Sequence, residues 1–510
     1  MPRTQKPCSH TNLLTTPSSH AHPSGYKPFT PQQLFTAATG SRKKITVQYD
    51  KFSNFFPAPL VLPDDELAHD PKCPPQSFKS WLNEPERNEV TQRQKTVYVA
   101  SAPMVEEGMA DVLRDWTVPR KEAMPTLKPG LVPQPASSDV LEYLSAFFYG
   151  LPVKELDDQL QWAVWAGTNS RNFGRKPGSA TLATAPNVIG LKSMKTNTKT
   201  RIRVRHLDGN DDISAYRHQL NLNDILDHAI AILPKDAYCL ILLVDHDLYE
   251  DDDDDFCCGR AYGGSRICVV SSAQYQPKLD TWHGVDVPEG HIWPGSHCAA
   301  FAGTACGADS KPLSSSKRKA AATERKIDLV SNDPHGRIGR SASDAVMIDS
   351  STVEGSVDNV LTTPLTEAVN VHKNGLKKKN LLEAELESLY LRRLSLTASH
   401  ELLHCFGLDH CTYHACAMQS TASIIEDSRQ PPYLCPVCEN KLARAVSNVQ
   451  IQKVQAGSAQ KGWWEASSIV HWRKARSQAI VAFCEAKGKD NLGFASLGAW
   501  IRRLLESGVE

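Results

Sequence analysis

The sequence predicts an α+β fold in which a mixed sheet precedes one long helix and a small cysteine-rich region. In residues 200–244, "TRIRVRHL" alternates apolar and basic residues, "NDILDHAIAILP" has helical spacing, and "YCLILLV" is continuously apolar. This order favours a β-α-β unit with a parallel pair of strands. In "GRAYGGSRICVVSS", the Gly263-Gly264 pair separates two strand-like pieces, which predicts an antiparallel edge hairpin. The stretch "NLLEAELESLYLRRLSLTASHELLHCF" has no Gly or Pro before Gly407, which predicts one long helix.

Weaker patterns predict the elements around this centre. "TVYVAS" at 96–101 and "LQWAVWAG" are typical of strands. Between them, a short amphipathic helix is predicted with Ser137 or Ser138 as its N-cap and Gly150 as its stop. Two more helices are expected at 467–486 and 492–507.

Shifts in composition predict the domain boundaries. The first 49 residues contain no Asp or Glu and are rich in Pro, Ser and Thr, and a later stretch is small, polar and without sustained periodicity. We therefore expect a disordered or extended tail at 1–90 and a low-complexity, disordered insertion at 298–375. The insertion divides the main domain into a first part with sheet and backing helix at 91–297 and a second part with the long helix and the cysteines at 376–455. C-terminal helices are expected at 456–510.

Charge and cysteine usage limit the function classes. Lys plus Arg and Asp plus Glu both number 57, so no net charge draws the chain towards nucleic acid or an anionic membrane. No apolar run approaches the roughly 20 residues of a membrane-spanning helix. Fourteen cysteines without a secretory signal indicate reduced thiols or metal ligands, and hence a cytoplasmic or nuclear location. The oligomeric state stays open.

The histidines of "HELLHCFGLDH" predict a catalytic zinc site. His400 and His404 lie one helical turn apart on one face, and a left-handed turn at Gly407 would bring His410 to the same ion. Three protein ligands leave a fourth position for water, as in catalytic zinc sites. Glu401 is placed to act on that water as a general base.

Cysteines directly after this motif predict a second zinc site, of the structural kind. Four thiolates make a closed tetrahedral shell for zinc. The expected ligands are Cys411, Cys416, Cys435 and Cys438. A redox pair or a disulfide is the alternative, and His414 could replace one cysteine. We expect Cys405, Cys257, Cys258 and Cys484 to be core or loop residues. Two zinc ions per chain are thus predicted, and loss of the second should loosen the first site.

These motifs resemble those of the archaemetzincins, a branch of the metzincin zinc metallopeptidases. The metzincin pattern H-E-x-x-H-x-x-G-x-x-H is present, and "HCTYHACAM" and "CPVC" match the archaemetzincin cysteine spacing over 400–438. A looser resemblance covers 200–290. It implies a metzincin-like twisted mixed sheet with an antiparallel edge strand, a backing helix, a long active-site helix and a small zinc-stabilised lower subdomain. It also implies that Met418 is the Met-turn residue below the histidines. Ser420 stands where some metzincins have a tyrosine that assists catalysis.

The resulting expectation is a zinc peptidase whose substrate is a peptide or protein. The substrate would lie along the edge strand formed by Gly259, Arg260, Ala261 and Tyr262. The resemblance implies aminopeptidase activity for some members, and Asp245, Asp247 and the acidic run 250–255 could capture a substrate α-amine. Ending a strand and forming a solvated loop are equally open roles for these carboxylates.

Two other function classes remain. One is a catalytically silent zinc-binding or scaffold protein, against which the complete ligand set and Glu401 argue. The other is nucleic-acid binding through a zinc ribbon, which needs basic surface. Residues 411–438 contain one Arg and no Lys, so we expect no nucleic-acid partner and, given the lack of a long apolar run, no membrane.

Overall fold

The computed structural model describes two adjoining sheets surrounded by helices. It covers residues 8, 10, 12–124, 130–165, 185–207, 213–285, 290–307, 362–376, 383–455, 463–488 and 491–508. Among these residues, no helix has the length and apolar character needed to cross a membrane.

The first sheet has five strands in the order β10-β11-β8-β1-β3. Neighbouring strands are parallel except for the β10–β11 pair. The strands are β1 (Thr96–Ala100), β3 (Val153–Glu155), β8 (Ala237–Val244), β10 (Gly259–Tyr262) and β11 (Ile267–Ser271). The predicted hairpin is confirmed, and it places β10 on the outer edge of the sheet.

The second sheet has six strands in the order β2-β4-β5-β6-β7-β9, with three antiparallel pairs in the middle and a parallel pair at each end. Its strands are β2 (Met104–Val105), β4 (Leu160–Ala163), β5 (Val188–Ser193), β6 (Lys199–His206), β7 (His218–Asn221) and β9 (Leu248–Tyr249). In β6 the predicted alternation is present, with Ile202 and Val204 buried and the intervening arginines more exposed.

The predicted β-α-β unit is wrong in its strand pairing. Strand β6 and helix α8 (Leu222–Ile232) form as expected, but β6 lies in the second sheet and β8 in the first. The strand β7 intervenes and pairs antiparallel with β6. The parallel partners of β8 are instead β1 and β11.

Burial of β8 on both faces explains its continuously apolar sequence. Cys239, Ile241 and Leu243 face one hydrophobic cluster, and Leu240 and Leu242 face another. The first cluster includes the long helix α12 (Glu383–Cys405), and the second includes the second sheet and α8. The first sheet is thus the middle layer between α12 and the backing helix.

The remaining helices surround these layers. They are α1 (Ala21–Ser24), α2 (Pro31–Thr39), α3 (Val47–Ser53), α4 (Glu66–His69), α5 (Phe78–Leu82), α6 (Ala110–Leu113), α7 (Ser137–Phe147), α9 (Asp280–His283), α10 (Ala299–Ala305), α11 (Pro364–Leu376), α13 (Ile424–Arg429), α14 (Pro436–Gln455), α15 (Trp463–Lys487) and α16 (Leu492–Glu506). The two predicted C-terminal helices are confirmed. In α7 the N-cap is Ala136 and not Ser137 or Ser138 as predicted, and no side chain caps that end.

The expectation of a disordered or extended tail at 1–90 is wrong for residues 12–90. Five short helices form there, α2 begins with a capping box at Thr30, and Ala38, Phe56 and Trp81 are buried. Prolines break the periodicity of this stretch, but its aromatic side chains still bury apolar surface against the main core.

The insertion expected at 298–375 is ordered at both described ends. Helix α10 buries Ala302, and α11 buries Leu365, Ala368 and Val369. These apolar residues pack at helical spacing, which contradicts disorder at the two ends. Residues 308–361 lie outside the described part of the chain, so the expectation stands untested there.

Candidate active site and metal centres

The end of α12 brings three histidines together. Gly407 has a φ of 75°, and the amide of Leu408 donates to Leu403 O at 3.2 Å, which ends the helix in a left-handed turn. The chain then reverses, and nitrogen atoms of His400, His404 and His410 lie within 4.8 Å of one another.

Hydrogen bonds leave the Nε2 atoms of the first two histidines available to a metal. Nδ1 of His400 lies 2.7 Å from Ala417 O, and Nδ1 of His404 lies 2.7 Å from Leu408 O. A carbonyl oxygen only accepts, so each Nδ1 carries the hydrogen and each neutral ring presents a lone pair at Nε2. These two Nε2 atoms are 3.2 Å apart. Tetrahedral zinc with Zn–N near 2.0–2.1 Å separates its nitrogen ligands by about 3.4 Å, so the histidines fit zinc.

Glu401 lies beside the histidines and against the edge strand. Its side chain is 8% exposed. A Cβ built on Gly259 would lie 3.0 Å from Glu401 Cγ and 3.2 Å from its Oε1. The absence of a side chain at Gly259 therefore gives the Glu401 carboxylate its place beside β10.

An open cleft with an empty volume of about 930 Å³ lies over this group. Its walls include His400, Glu401, His410, the β10 residues Gly259 and Arg260, and residues 419–424 with Ser420. Strand β10 thus borders the cleft with two of the four residues predicted for the substrate edge, Gly259 and Arg260. Ala261 and Tyr262 continue this strand, and the hydroxyl of Tyr262 donates to Asn223 Oδ1 at 2.7 Å.

Three carboxylates besides Glu401 line the same cleft, namely Glu250, Asp254 and Asp427. Arg260 forms an ion pair with Glu250 at 3.3 Å. Burial raises the pKa of Asp427 to about 6, while Arg393 and Arg392 oppose that rise. The cleft therefore carries more acidic than basic groups at neutral pH.

The other carboxylates expected near a substrate amine have structural contacts. Asp247 is fully buried and accepts hydrogen bonds from Ser214 Oγ at 2.5 Å, Gln219 Nε2 at 2.8 Å and Gln274 Nε2 at 2.9 Å. This carboxylate cannot reach a substrate. Asp245 Oδ1 lies 2.7 Å from His246 Nδ1, within hydrogen-bond distance.

The acidic run 250–255 is only partly the solvated loop considered above. Asp252 and Asp253 are exposed, whereas Asp254 and Asp255 are buried. Arg205 Nη2 donates to Asp254 O at 2.7 Å and to Asp255 O at 3.2 Å. The arginine thus fixes the loop and with it the Asp254 side of the cleft.

The four predicted cysteine ligands converge in the core. Sulfur atoms of Cys411, Cys416, Cys435 and Cys438 all lie within 4.8 Å of one another, and all four residues are buried. Cys411 Sγ and Cys435 Sγ are 3.6 Å apart. The described residues fit a closed shell of four thiolates.

The remaining predicted candidates lie outside this shell. His414 Nδ1 lies 3.0 Å from Phe56 O, and His414 is not a member of the cysteine group. Cys405 packs in the core, where its thiol interacts with those of Cys239 and Cys268. Cys484 is also buried, and Cys257 and Cys258 are half-buried beside the cleft, with Cys257 Sγ donating to Gly259 O at 3.2 Å.

Backbone contacts join the two clusters. Met418 is fully buried, and its carbonyl oxygen accepts a hydrogen bond from Cys411 N at 2.6 Å. The preceding residue, Ala417, provides the carbonyl that orients His400 and donates its amide to Tyr433 O at 2.9 Å. A shift of the cysteine region would therefore move the contact that orients a histidine.

Sequence reasoning missed a group from the N-terminal region that holds the Gly407 turn. Trp81 Nε1 donates to Phe406 O at 2.9 Å, and Gln76 Nε2 donates to Gly407 O at 3.0 Å. Arg87 covers Gly407, whose added Cβ would lie 2.8 Å from Arg87 Cγ. No motif marks these residues, because their role depends on contacts across more than 300 positions of sequence.

The segment that carries the histidine and cysteine clusters is similar in sequence to known proteins. The sequence model of Peptidase family M54 matches residues 368–444. Archaemetzincin-2 from Homo sapiens is 40% identical over 72 residues, which are 14% of this chain and 20% of that protein. An archaemetzincin from Methanopyrus kandleri is 41% identical over 64 residues, which are 12% of this chain and 36% of that protein. The matches thus span about a fifth to a third of these relatives.

Among solved structures, the crystal structure of archaemetzincin from Methanopyrus kandleri covers 70% of this chain and 97% of that chain, at 13% identity and a TM-score of 0.27. That score is too low to establish a shared fold. The family match does not reach 200–290, where the looser resemblance was expected. The motif-based resemblance is confirmed where the ligands lie: residues 368–444 match the model of Peptidase family M54 and are similar to archaemetzincins.

Proposed function

We propose that this chain is a zinc-dependent metallopeptidase in which Glu401 is the general base, and that it acts as an aminopeptidase on short peptides. The observation that carries the proposal is the convergence of three histidine nitrogens and Glu401 beneath a cleft bordered by an edge strand. The match of residues 368–444 to the model of Peptidase family M54 supports peptidase activity.

His400, His404 and His410 would hold the zinc, which when bound supplies a Lewis acid and lowers the pKa of a water towards about 7. The Glu401 carboxylate would accept a proton from the attacking water and would later donate it to the leaving amine. Burial at 8% exposure and the contact with Gly259 keep the carboxylate in one place for both transfers. A second zinc, held by the four cysteines, would fix the loop that carries His410 and Ala417.

Strand β10 would bind the substrate backbone. Among the described residues, β10 pairs only with β11 and ends the first sheet, and its residues Gly259 and Arg260 line the cleft. An extended peptide can add to such an edge through main-chain hydrogen bonds. Ser420 lines the cleft but supplies no phenol, so the assisting tyrosine of other metzincins has no equivalent at this position.

The excess of carboxylates supports a preference for a free amino terminus. Glu250, Asp254 and Asp427 line the cleft together with a single arginine, which already pairs with Glu250. A substrate α-ammonium group would be attracted to this site, whereas an acetylated terminus would not.

The test compares wild type and Glu401→Ala on short peptides with free and acetylated amino termini, with zinc content measured on both proteins. We expect Glu401→Ala to keep its zinc and to lose at least about 10²-fold in kcat. Glu387→Ala, on an exposed position of the same helix, is the matched control and should retain activity. Retained turnover in Glu401→Ala would refute the mechanism, and equal cleavage of acetylated peptides would refute the aminopeptidase assignment. Zinc binding without cleavage by either protein would favour the catalytically silent binding module.

A further inference from the structure

A third group of potential metal ligands lies outside both clusters described so far. Ligand atoms of Cys8, His10 and His291 lie within 4.8 Å of one another. His10 is 4% exposed and His291 is 9% exposed. Buried imidazoles and a thiol at this spacing form the kind of donor set that binds zinc.

The backbone brings these residues together from distant parts of the chain. Leu13 forms an antiparallel bridge with Cys298. The amide of Leu14 donates to His297 O at 2.8 Å, and the amide of Ala299 donates to Asn12 O at 2.8 Å. The N-terminal strand segment is thus paired with residues 297–299, which places Cys8 and His10 beside the loop that carries His291.

A second thiol, that of Cys298, lies next to Cys8 but outside the group of three ligand atoms. Its Sγ lies 3.4 Å from Cys8 Sγ, close to the 3.6 Å between Cys411 and Cys435 in the four-cysteine cluster. Two thiolates on one tetrahedral zinc with Zn–S near 2.3 Å lie about 3.8 Å apart. A disulfide would require about 2.0 Å. The spacing therefore resembles two ligands of one ion.

The imidazole geometry also resembles that of the catalytic histidines. The ring centroids of His10 and His291 are 5.2 Å apart, compared with 4.9 Å for His400 and His404. Phe301 stacks on His291 with centroids 4.4 Å apart and an interplanar angle of 16°, which fixes the ring plane. Holding a ligand ring in this way reduces the entropy lost when a metal binds.

We propose that Cys8, His10 and His291 bind a third zinc ion. Cys298, whose thiol lies beside Cys8 but outside the group of three, would turn towards the ion as the fourth ligand. With Cys298 turned in, two sulfurs and two nitrogens would complete a tetrahedral shell, which is typical of a structural site and leaves no position for substrate. It ties the N-terminal segment to the loop at 290–299.

This loop connects the proposed site to the cleft. Trp293 N donates to Ser428 O at 3.0 Å, so the loop packs against α13. Helix α13 contributes Ile424 and Asp427 to the cleft wall. The third zinc would therefore stabilise the loop that packs against α13, and through it the cleft wall formed by α13. It takes no part in the peptide hydrolysis proposed above.

The test is zinc stoichiometry of the purified full-length chain, measured by elemental analysis before and after substitution. Wild type should contain three zinc ions per chain, and the double variant Cys8→Ser, His10→Ala should contain one fewer. His291→Ala should lose the same ion, whereas Cys306→Ser, a half-buried cysteine at the C-cap of the adjacent α10, should lose none. Two zinc ions in wild type, or three in the double variant, would refute the proposal.

Two further measurements separate this site from its alternatives. A peptide map without reductant should show no covalent link between Cys8 and Cys298, and finding one would overturn the metal assignment. Limited proteolysis of the double variant should cut the N-terminal segment at least about 10-fold faster than wild type, because an untethered segment opens more often. Neither readout depends on peptidase activity, so both remain valid if the chain proves inactive.

Discussion

The side chain of Gln76 donates a hydrogen bond to the carbonyl oxygen of Gly407 at 3.0 Å, across 331 positions of sequence. Its other amide atom, Oε1, accepts from Asp409 N at 3.1 Å and from Lys441 Nζ at 2.7 Å. One glutamine thus fixes both ends of the turn between the long helix and His410. The N-terminal region, which looks like a linker in sequence, is part of the support of the metal centre.

Gln76→Ala should weaken zinc binding at the histidine cluster while leaving the fold intact. Without the side chain, Gly407 and Asp409 lose their hydrogen bonds, and His410 is less well held. Loss of a contact that orients a ligand typically costs about 10-fold or more in metal affinity. Competition with a chelator measures the affinity, and Gln159→Ala, an exposed glutamine next to β4, is the control. An unchanged zinc affinity with an unchanged unfolding temperature would contradict this role.

Cys435→Ser should lose the zinc of the cysteine cluster and lower the stability of the whole chain. Four buried thiols at ligand spacing depend on the metal, and the binding free energy of a structural zinc contributes directly to folding. Because Ala417 orients His400 and Met418 bonds to Cys411, the histidine site should also release its zinc faster. Thermal unfolding and metal content measure the two effects, with Cys306→Ser as control. Wild-type stability together with a fully loaded histidine site would exclude the coupling.

Asp247 should make stability fall as pH rises between about 4 and 6. Burial raises its pKa from 3.8 to about 6, so the folded state favours the protonated form. Its contribution is fully present below pH 3.8 and is lost as the pH passes the folded value, a change of about 3 kcal/mol. Unfolding free energies of wild type and Asp247→Asn should be compared across this range, because the difference removes the titration of other buried acids. A difference that stays constant from pH 4 to 7 would refute the shift, and the exposed Asp252→Asn should match wild type throughout.

Short sequence patterns predicted the histidine and cysteine clusters. The features that the sequence did not predict depend on contacts between residues far apart in the chain. The spacing of His400 and His404 follows from one helical turn, and the Gly407 turn follows from one residue type, so both could be read directly. The partner of β8 could not be predicted from the sequence. Its parallel pairing with β1 joins strands about 140 positions apart, and no periodic pattern in the sequence indicates such a pairing. The same limit hid the proximity of His10 and His291, whose ligand atoms meet only after both segments have packed.

Gly259 should be required for turnover and not for metal binding. A Cβ at this position would lie 3.0 Å from Glu401 Cγ and 3.2 Å from Val270 Cγ2, so a side chain must displace the Glu401 carboxylate. The histidine nitrogens are not among the three atoms nearest to this Cβ. A displacement near 1 Å at a catalytic group can cost about 10²-fold in rate. We therefore expect Gly259→Val to lose about 10²-fold in kcat and Gly259→Ala to lose less, both with wild-type zinc content.

The matched control for Gly259 lies in the same hairpin. An added Cβ at Gly264 meets nothing within 4 Å, so Gly264→Ala should keep full activity. Kinetics on a free peptide, zinc content and thermal unfolding would be measured on all three variants. If Gly259→Val kept the wild-type kcat, the Glu401 carboxylate would not need its place beside β10, and the edge strand would lose its proposed part in positioning the base. If the variant instead lost both zinc and stability, the glycine would serve the fold and not the reaction.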